Sequence, residues 1–92
     1  MKNWFVYVIL CDNGSLYKGH TDDLERRYKE HCTGNGAKNT KLHKPIKMVY
    51  YERLDTIEEA VIREKYLKSG SGREWLKRRI AYLSAGGGVS ND

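Results

Sequence analysis

The residues of this 92-residue chain that are best suited to chemistry are two tyrosines, an arginine and a glutamate. Tyr7 and Tyr17 lie in consecutive strand-like segments, and Arg27 follows ten residues after the second tyrosine. Glu64 comes much later in the chain. A phenol can take a proton from water, a guanidinium is a permanent cation that suits a phosphate, and a carboxylate is an oxygen ligand for a divalent metal. Together these groups suit the hydrolysis of a phosphodiester.

A β-hairpin is predicted to carry the two tyrosines. Residues 5–10 are β-branched, aromatic or leucine, residues 12–14 have turn chemistry, and residues 15–19 return to strand character. Side chains alternate between the two faces of a strand, so Tyr7 is expected to share a face with Phe5 and Ile9. Gly19 is expected to allow a backbone or a ligand to approach closely beside Tyr17.

A helix over residues 23–32 is predicted to carry the arginine. Asp22 and Glu25 have the spacing of a capping box, and Thr21 is the competing cap. At 100° per residue, Arg27 and His31 border the inward side of this helix, together with Leu24 and Tyr28. Arg26 is expected to point elsewhere.

The rest of the chain predicts a single small α+β domain. Residues 34–45 are expected to form an exposed basic loop and residues 46–52 a further strand. Thr56 and Glu59 form another capping box, which opens a helix that reaches residue 68. Residues 69–72 are expected to break that helix, and a third helix is predicted over residues 73–83. The domain is assigned to residues 1–85, with a disordered tail over residues 86–92.

Glu64 falls within the apolar stripe predicted for the second helix, where a carboxylate is costly. The stripe consists of Ile57, Ala60, Val61, Glu64 and Leu67. Arg63 is expected to face solvent. Unpaired charge on an inward face is usually offset by an ion pair, by protonation or by a metal. Two interpretations therefore stay open for Glu64: an ion pair with Arg27 or a neighbouring lysine, and a functional site.

A single inward carboxylate suits one Mg²⁺ or Mn²⁺ ion whose other ligands are water and substrate phosphate. Zinc is not expected, because His20, His31 and His43 share no zinc-ligand spacing. The two cysteines, Cys11 and Cys32, form no CxxC pair and are expected to be reduced thiols.

The charge of the chain indicates what it binds. A net charge of +5 and a pI near 9.3 favour a polyanionic partner, with nucleic acid as the first candidate. No apolar run approaches the roughly 20 residues that cross a bilayer, and the first residues are a poor secretion signal. We expect a soluble cytoplasmic protein with no membrane partner, and we infer no obligate protein partner.

Several segments resemble the GIY-YIG nuclease superfamily. They are residues 6–8, 17–19, 23–27 and 59–70. Residues 34–45 resemble the basic loop of its small single-domain bacterial members, which are of the UPF0213 type or like the N-terminal domain of an excinuclease. The chain departs from the family where the glycine of the first motif is missing and where Lys18 replaces an aliphatic residue. The late asparagine of many members has no clear equivalent.

The resemblance implies a three-stranded antiparallel sheet flanked by about three helices. It also implies divalent-metal-dependent endonuclease activity on nucleic acid, with DNA as the expected substrate. Because nothing in the sequence indicates base-specific recognition, we expect low sequence specificity and selection by shape. The residues that match the catalytic positions of the family are Tyr7, Tyr17, Arg27, His31 and Glu64, with Glu64 as the metal ligand. The proposed base, Tyr7, needs help, because a free phenol has a pKa of about 10. Arg27, His31 and the metal are the candidates that favour its phenolate.

Basic residues outside the motifs are expected to form a backbone-binding surface. They are Lys18, Lys38, Lys41, Lys44, Arg73 and Lys77, with Arg78 and Arg79 beside them. Two other functions stay open. In the first, the chain is a nucleic-acid-binding module that has kept the nuclease fold but does not cleave. In the second, it is an adaptor whose basic loop docks an acidic protein.

Overall fold

A computed structural model of the chain describes residues 3–35 and 43–84, and it contains three strands and three helices. In chain order they are β1 Trp4–Cys11, β2 Leu16–Thr21, α1 Leu24–Cys32, β3 Pro45–Leu54, α2 Ile57–Lys68 and α3 Gly70–Ser84. The strands form one antiparallel sheet in the order β2-β1-β3. The predicted α+β class and three-stranded antiparallel sheet are confirmed. The predicted tail over residues 86–92 lies outside the described residues.

The central strand β1 separates two hydrophobic clusters. Val6 and Val8 pack with Ala60, Leu67 and Leu76 of the helices α2 and α3. On the opposite face, Tyr7, Ile9 and Cys11 pack against Leu24 and Tyr28 of α1. A central strand that is buried on both faces needs apolar residues at consecutive positions, which explains the unbroken run in β1.

Helix α1 covers the predicted residues but has a different cap. The predicted capping box of Asp22 and Glu25 is wrong, because the side chain of Asp23 accepts the hydrogen bond from the Arg26 backbone N–H at 3.0 Å. Asp22 instead accepts from the Arg26 guanidinium at 3.1 Å. The oxygen of Thr21 accepts from the Asp23 backbone N–H at 3.1 Å and so braces the entry to the helix. Neighbouring Asp residues have equal capping propensity, so spacing alone did not distinguish them.

Helix α2 has the predicted capping box of Thr56 and Glu59 and ends at Lys68, as predicted. Its inward face is rotated relative to the predicted stripe, because Ile57 and Val61 remain 39% and 43% exposed. Arg63, predicted to face solvent, is half-buried and donates two hydrogen bonds of 2.8 Å to Glu52 on β3. A charged side chain turns inward here because its partner lies on another element, which periodicity does not reveal.

The third helix begins three residues earlier than predicted. A single residue, Ser69, separates α2 from α3. Its hydroxyl accepts a hydrogen bond from the Gly72 backbone N–H at 3.2 Å. Gly72 is buried, and a Cβ atom there would lie 1.8 Å from the Tyr66 carbonyl oxygen. The glycines therefore permit a tight corner between the two helices, where a loop had been expected. Within the described residues, every helix is too short or too polar to span a bilayer.

Gly72→Ala is expected to lower the free energy of unfolding by about 2 kcal/mol or more, because its methyl group would overlap a backbone carbonyl that has little room to move. Gly70→Ala, in the same helix, meets nothing within 4 Å and serves as the matched control. It is expected to change the free energy by less than about 1 kcal/mol. Urea unfolding followed by circular dichroism measures both. Equal unfolding midpoints for the two variants would contradict the close approach at Gly72.

Candidate active site

A pocket of about 380 Å³ opens at the edge of the sheet formed by β2. Its walls are Tyr7, Tyr17, Gly19, His20, Thr21, Arg26, Arg27, Glu30 and Glu64. Four of the five residues predicted to be catalytic are in that set. The fifth, His31, is completely buried and lies directly behind Tyr7. The structure thus brings together groups that lie up to 57 positions apart in the chain, between residues 7 and 64.

The pocket wraps around β2 from one face of the sheet to the other. Tyr7 on β1 lies opposite Gly19, and Val6 lies opposite His20. Since opposite residues of an antiparallel pair share a face, Gly19 belongs to the α1 face and His20 to the α2 face. Helix α1 therefore supplies its arginines from one side of the edge strand, and α2 supplies Glu64 from the other.

Gly19 allows the Tyr7 phenol to reach this edge. A Cβ atom at position 19 would lie 2.5 Å from the Tyr7 hydroxyl oxygen and 3.2 Å from the Tyr17 ring. The phenol therefore occupies the space that a side chain on β2 would take. A close approach beside Tyr17 is present, but the group that makes it is the side chain of Tyr7, where a backbone or a ligand had been expected.

The Tyr7 hydroxyl and His31 Nε2 form a buried hydrogen bond of 2.9 Å. Burial raises the pKa of Tyr7 to about 12, although the Arg27 guanidinium acts in the opposite direction. Burial also lowers the pKa of His31 to about 4, and the positive charge of Arg27 adds to that effect. Arg27 thus favours the phenolate, as expected, but the effect of burial is larger and keeps the phenol protonated. At neutral pH a protonated phenol faces a neutral imidazole.

The two arginines of α1 both line the pocket. Arg27 donates to Glu30 at 2.9 Å, and this hydrogen bond is the main reason that its pKa lies above the ordinary value. Arg26 was expected to point elsewhere, yet it also contributes to the wall, where it contacts Asp22 and, at 3.7 Å, Glu30. The acidic partners hold both guanidinium groups at the mouth of the pocket because each arginine is within one helical turn of an acid.

Glu64 is half-buried, and its carboxylate accepts hydrogen bonds from two side chains. Lys68 Nζ lies 2.6 Å from one carboxylate oxygen, and His20 Nδ1 lies 2.6 Å from the other. Burial would raise the pKa of Glu64, but the hydrogen bonds from Lys68 and His20 outweigh it and keep this pKa below its usual value. Of the two ion-pair partners considered from the sequence, the neighbouring lysine is present, and Arg27 pairs with Glu30 instead.

The donor set fits a hard divalent cation that keeps most of its water. Glu64 presents an ionised carboxylate to an open, polar pocket, with 17% of its side chain exposed. Among residues 3–35 and 43–84, no group of three or more His, Cys, Asp or Glu side chains is placed to hold a metal. One carboxylate with water and phosphate completing the shell is the usual arrangement for Mg²⁺. Cys11 and Cys32 are both reduced thiols, as predicted.

A basic groove adjoins the pocket and shares Tyr17 with it. We define this groove by Lys18, Lys68, Arg73 and Lys77, which line two neighbouring depressions between β2 and the start of α3. Burial lowers the pKa of Lys18, and the positive charges of Arg73, Lys68 and Lys77 add to the effect. Lys44 is exposed and lies just before β3, outside both the pocket and the groove. Lys38 and Lys41 lie outside the described residues.

The sequence did not reveal three polar groups that line the pocket, which are His20, Arg26 and Glu30. It indicated Lys68 only as one of the lysines near Glu64. Lys68 follows Glu64 by one helical turn, so the i,i+4 spacing of opposite charges was a signal for it. His20 had no comparable signal, because it meets Glu64 only through the packing of α2 on β2.

A profile of the GIY-YIG catalytic domain matches residues 3–79, which include the two tyrosines, both arginines and Glu64. The chain belongs to the GIY-YIG family. A UPF0213 protein of Staphylococcus saprophyticus is 42% identical over 77 residues, which cover 84% of this chain and 94% of the relative. A UPF0213 protein of Staphylococcus aureus is 39% identical over the same shares of the two chains. The resemblance predicted from the motifs is confirmed.

The fold matches a solved member of the same group. The solution NMR structure of the UPF0213 protein BH0048 from Bacillus halodurans is 37% identical, covers 83% of each chain and superposes with a TM-score of 0.52. The GIY-YIG domain places the chain in a nuclease family, which implies a nucleic-acid substrate. Nucleases of this family generally depend on a divalent metal.

Protonation of His31 is expected to destabilise the fold as the pH falls. Its pKa is about 4 when folded, below the value of about 6.5 of an unfolded histidine, so the unfolded chain binds more protons between these values. The stabilising contribution is therefore complete above about pH 6.5 and is lost as the pH falls toward 4. We expect the free energy of unfolding to fall by about 2 kcal/mol more in the parent than in His31→Gln between pH 7 and pH 4.5.

Urea unfolding at several pH values between these limits measures the difference. His43→Gln is the matched control, because His43 is partly exposed beside Asp12 and far from Tyr7 in the sheet. Its profile is expected to follow that of the parent. Parallel profiles for the parent and His31→Gln would show that His31 is not held in its neutral form.

Proposed function

We propose that this protein is a divalent-metal-dependent endonuclease that hydrolyses phosphodiester bonds of nucleic acid, with DNA as the expected substrate and with little sequence specificity. The observation that carries the proposal is the convergence of Tyr7, Tyr17, Arg27 and Glu64 on one open pocket at the edge of the sheet. A wholly structural role for these residues would not require them to face a common opening.

Glu64 is the proposed ligand for Mg²⁺ or Mn²⁺. The bound ion would supply a positive charge that stabilises the phosphate oxygens and the leaving 3′ oxygen as they gain negative charge. Lys68 contacts Glu64 through a long and half-exposed side chain, so it can leave the carboxylate without disturbing the core. Released from Glu64, Lys68 joins the other cations of the basic groove.

Tyr7 and His31 are the proposed route for the proton of the attacking water. With a pKa of about 12, Tyr7 stays protonated and does not act alone as a base. Its hydrogen bond to His31 allows it to receive a proton from water on its oxygen as its own proton passes to His31 Nε2. This exchange keeps the phenol neutral throughout. The negative charge of the substrate phosphate favours the imidazolium that results.

Arg27 and Arg26 are the proposed contacts for the phosphate. Both guanidinium groups lie at the wall of the pocket, and each can exchange part of its contact with Glu30 for a phosphate oxygen. The half-buried Tyr17 carries a hydroxyl suited to orienting water or phosphate beside Tyr7. The departure from the family's asparagine is offset here by a second arginine at the same opening.

The basic groove is the proposed path of the nucleic-acid backbone as it leaves the pocket. None of the described residues that line its two depressions is acidic, and the acidic partner of Lys68, Glu64, lies in the neighbouring pocket. Mutual repulsion between the cations of the groove is relieved when a phosphate binds. Because phosphate contacts carry no sequence information, a groove of this kind supports binding to nucleic acid of any sequence.

A non-catalytic nucleic-acid-binding module is the second candidate. The feature that favours it is the pair of contacts to Glu64, since Lys68 and His20 already neutralise the carboxylate. Such a module would bind through the same groove without cleaving. Metal-dependent cleavage by the parent protein separates the two candidates.

Glu64→Gln and Tyr7→Phe are each expected to reduce cleavage by at least about 100-fold while changing the affinity for nucleic acid by less than about threefold. The first variant removes the carboxylate charge at nearly constant shape, and the second removes only the hydroxyl. Cleavage of labelled duplex, single-stranded, flapped and branched DNA in Mn²⁺ and in Mg²⁺ measures the activity, and fluorescence anisotropy measures binding.

Glu58→Gln is the matched control for Glu64→Gln, because it makes the same change on the exposed first turn of α2. It is expected to cleave at the rate of the parent. Parent-like cleavage by Glu64→Gln would refute the metal site, and a parent protein that binds DNA without cutting it in either metal would establish the non-catalytic module.

Arg73→Ala and Lys77→Ala are each expected to weaken binding and to reduce the slope of log affinity against log salt by about 0.9, which corresponds to one lost phosphate contact on duplex DNA. Lys47→Ala is the control, because Lys47 lies on β3 at a separate depression. Anisotropy titrations at several salt concentrations measure the slopes. An unchanged slope in both groove variants would show that the backbone follows another surface.

A further inference from the structure

We propose that His20 is a second protein ligand of the divalent metal, so that the site combines one imidazole nitrogen with one carboxylate oxygen. Such a mixed site favours first-row transition ions such as Mn²⁺ and Co²⁺ over Mg²⁺. The inference rests on the proposed function, because it needs Glu64 to be the first ligand. It concerns the histidine that sequence analysis assigned to no site.

The contact between the two side chains carries the inference. His20 Nδ1 and Glu64 Oε1 are 2.6 Å apart, although they come from β2 and α2 and are 44 positions apart in the chain. Octahedral coordination at 2.0–2.1 Å places adjacent ligand atoms about 3 Å from each other. The two atoms therefore need to move apart by only about 0.4 Å, while the ring and the carboxylate turn so that their lone pairs point at the ion and no longer at each other.

The neighbours of His20 hold its ring beside Glu64. The ring packs against Trp4, with the centroids 6.2 Å apart, and a third of the side chain remains exposed at the pocket. His20 thus lies at the wall of the pocket with Nδ1 against Glu64, and its aromatic neighbour restricts the ring. A ligand that is held in place before the ion arrives loses little freedom on binding.

Hydrogen-bond donors of the protein itself, His20 and Lys68, contact both oxygens of the Glu64 carboxylate. Glu64 is ionised and accepts only, so the Nδ1 atom of His20 must carry the proton of their hydrogen bond. Lys68 supplies a positive charge to the other carboxylate oxygen. Metal binding exchanges the Lys68 ammonium for the ion and requires the His20 tautomer with its proton on Nε2, which leaves Nδ1 free to coordinate.

The mixed ligand set predicts the choice of metal. Mg²⁺ prefers oxygen ligands and retains its water, so an imidazole adds little to its affinity. Affinity for nitrogen-containing sites rises from Mn²⁺ through Co²⁺ to Ni²⁺. Removal of the imidazole is therefore expected to weaken Co²⁺ binding most, Mn²⁺ binding less and Mg²⁺ binding least.

Calorimetric titration of the full chain with MgCl₂, MnCl₂ and CoCl₂ tests the inference without any measurement of cleavage. His20→Phe keeps the ring that packs on Trp4 and removes its nitrogens, and His43→Phe makes the same change at a distant histidine. We expect His20→Phe to weaken Mn²⁺ binding by at least about 10-fold, Co²⁺ binding by more, and Mg²⁺ binding by less than about twofold. His43→Phe is expected to match the parent for all three ions.

The visible absorption of bound Co²⁺ gives an independent signature, which is expected to change in His20→Phe and to stay constant in His43→Phe. His20→Gln is the second variant in case the phenylalanine variant does not fold, and the same affinities are expected of it. Parent-like Mn²⁺ and Co²⁺ affinities in the His20 variants, with binding lost in Glu64→Gln, would overturn the role of His20 and leave the proposed function intact. Unchanged binding in Glu64→Gln would refute the metal site itself.

Discussion

The missing side chain at Gly19 is the constraint on which the rest of the site depends. The Tyr7 phenol extends across the edge strand into the space that a Cβ atom on β2 would occupy. Because of that crossing, a tyrosine of the central strand reaches the same opening as Arg27 of α1 and Glu64 of α2. Any larger residue at position 19 would push the phenol back toward the core and separate it from the other groups.

The polar groups of the pocket are held by partners within the protein before any substrate arrives. Tyr7 bonds to His31, Arg27 to Glu30, and Glu64 to Lys68 and His20. These contacts hold the side chains in place. They also offset the free-energy cost of burying polar groups, so the site lowers the stability of the fold only a little. In the proposed reaction, the metal would displace Lys68 from Glu64 and a phosphate would replace part of the contact between Arg27 and Glu30, whereas the Tyr7–His31 hydrogen bond would be kept.

The tight corner between α2 and α3 connects the proposed metal site to the proposed backbone-binding groove. Gly72 lets the two helices approach, and the Arg63–Glu52 pair ties α2 to the outer strand β3. The Arg63 guanidinium also lies 4.7 Å from the centre of the Trp75 ring on α3, which adds a cation–π contact between the helices. Helix α2, which carries Glu64, and helix α3, which carries Arg73, are thus packed directly against each other.

The sequence by itself determined the family, most of the elements and the set of candidate site residues, because the apolar run of β1, the capping box at Thr56 and the ordered motifs are local patterns. Only the tertiary structure decided which partners those side chains meet. The pairing of His20 with Glu64, the inward turn of Arg63 and the raised pKa of Tyr7 all depend on distances between elements remote in the chain. Hydrogen bonds and desolvation depend on which groups are close in space. Sequence periodicity predicts only which face of a helix or strand is exposed, so it does not predict these partners.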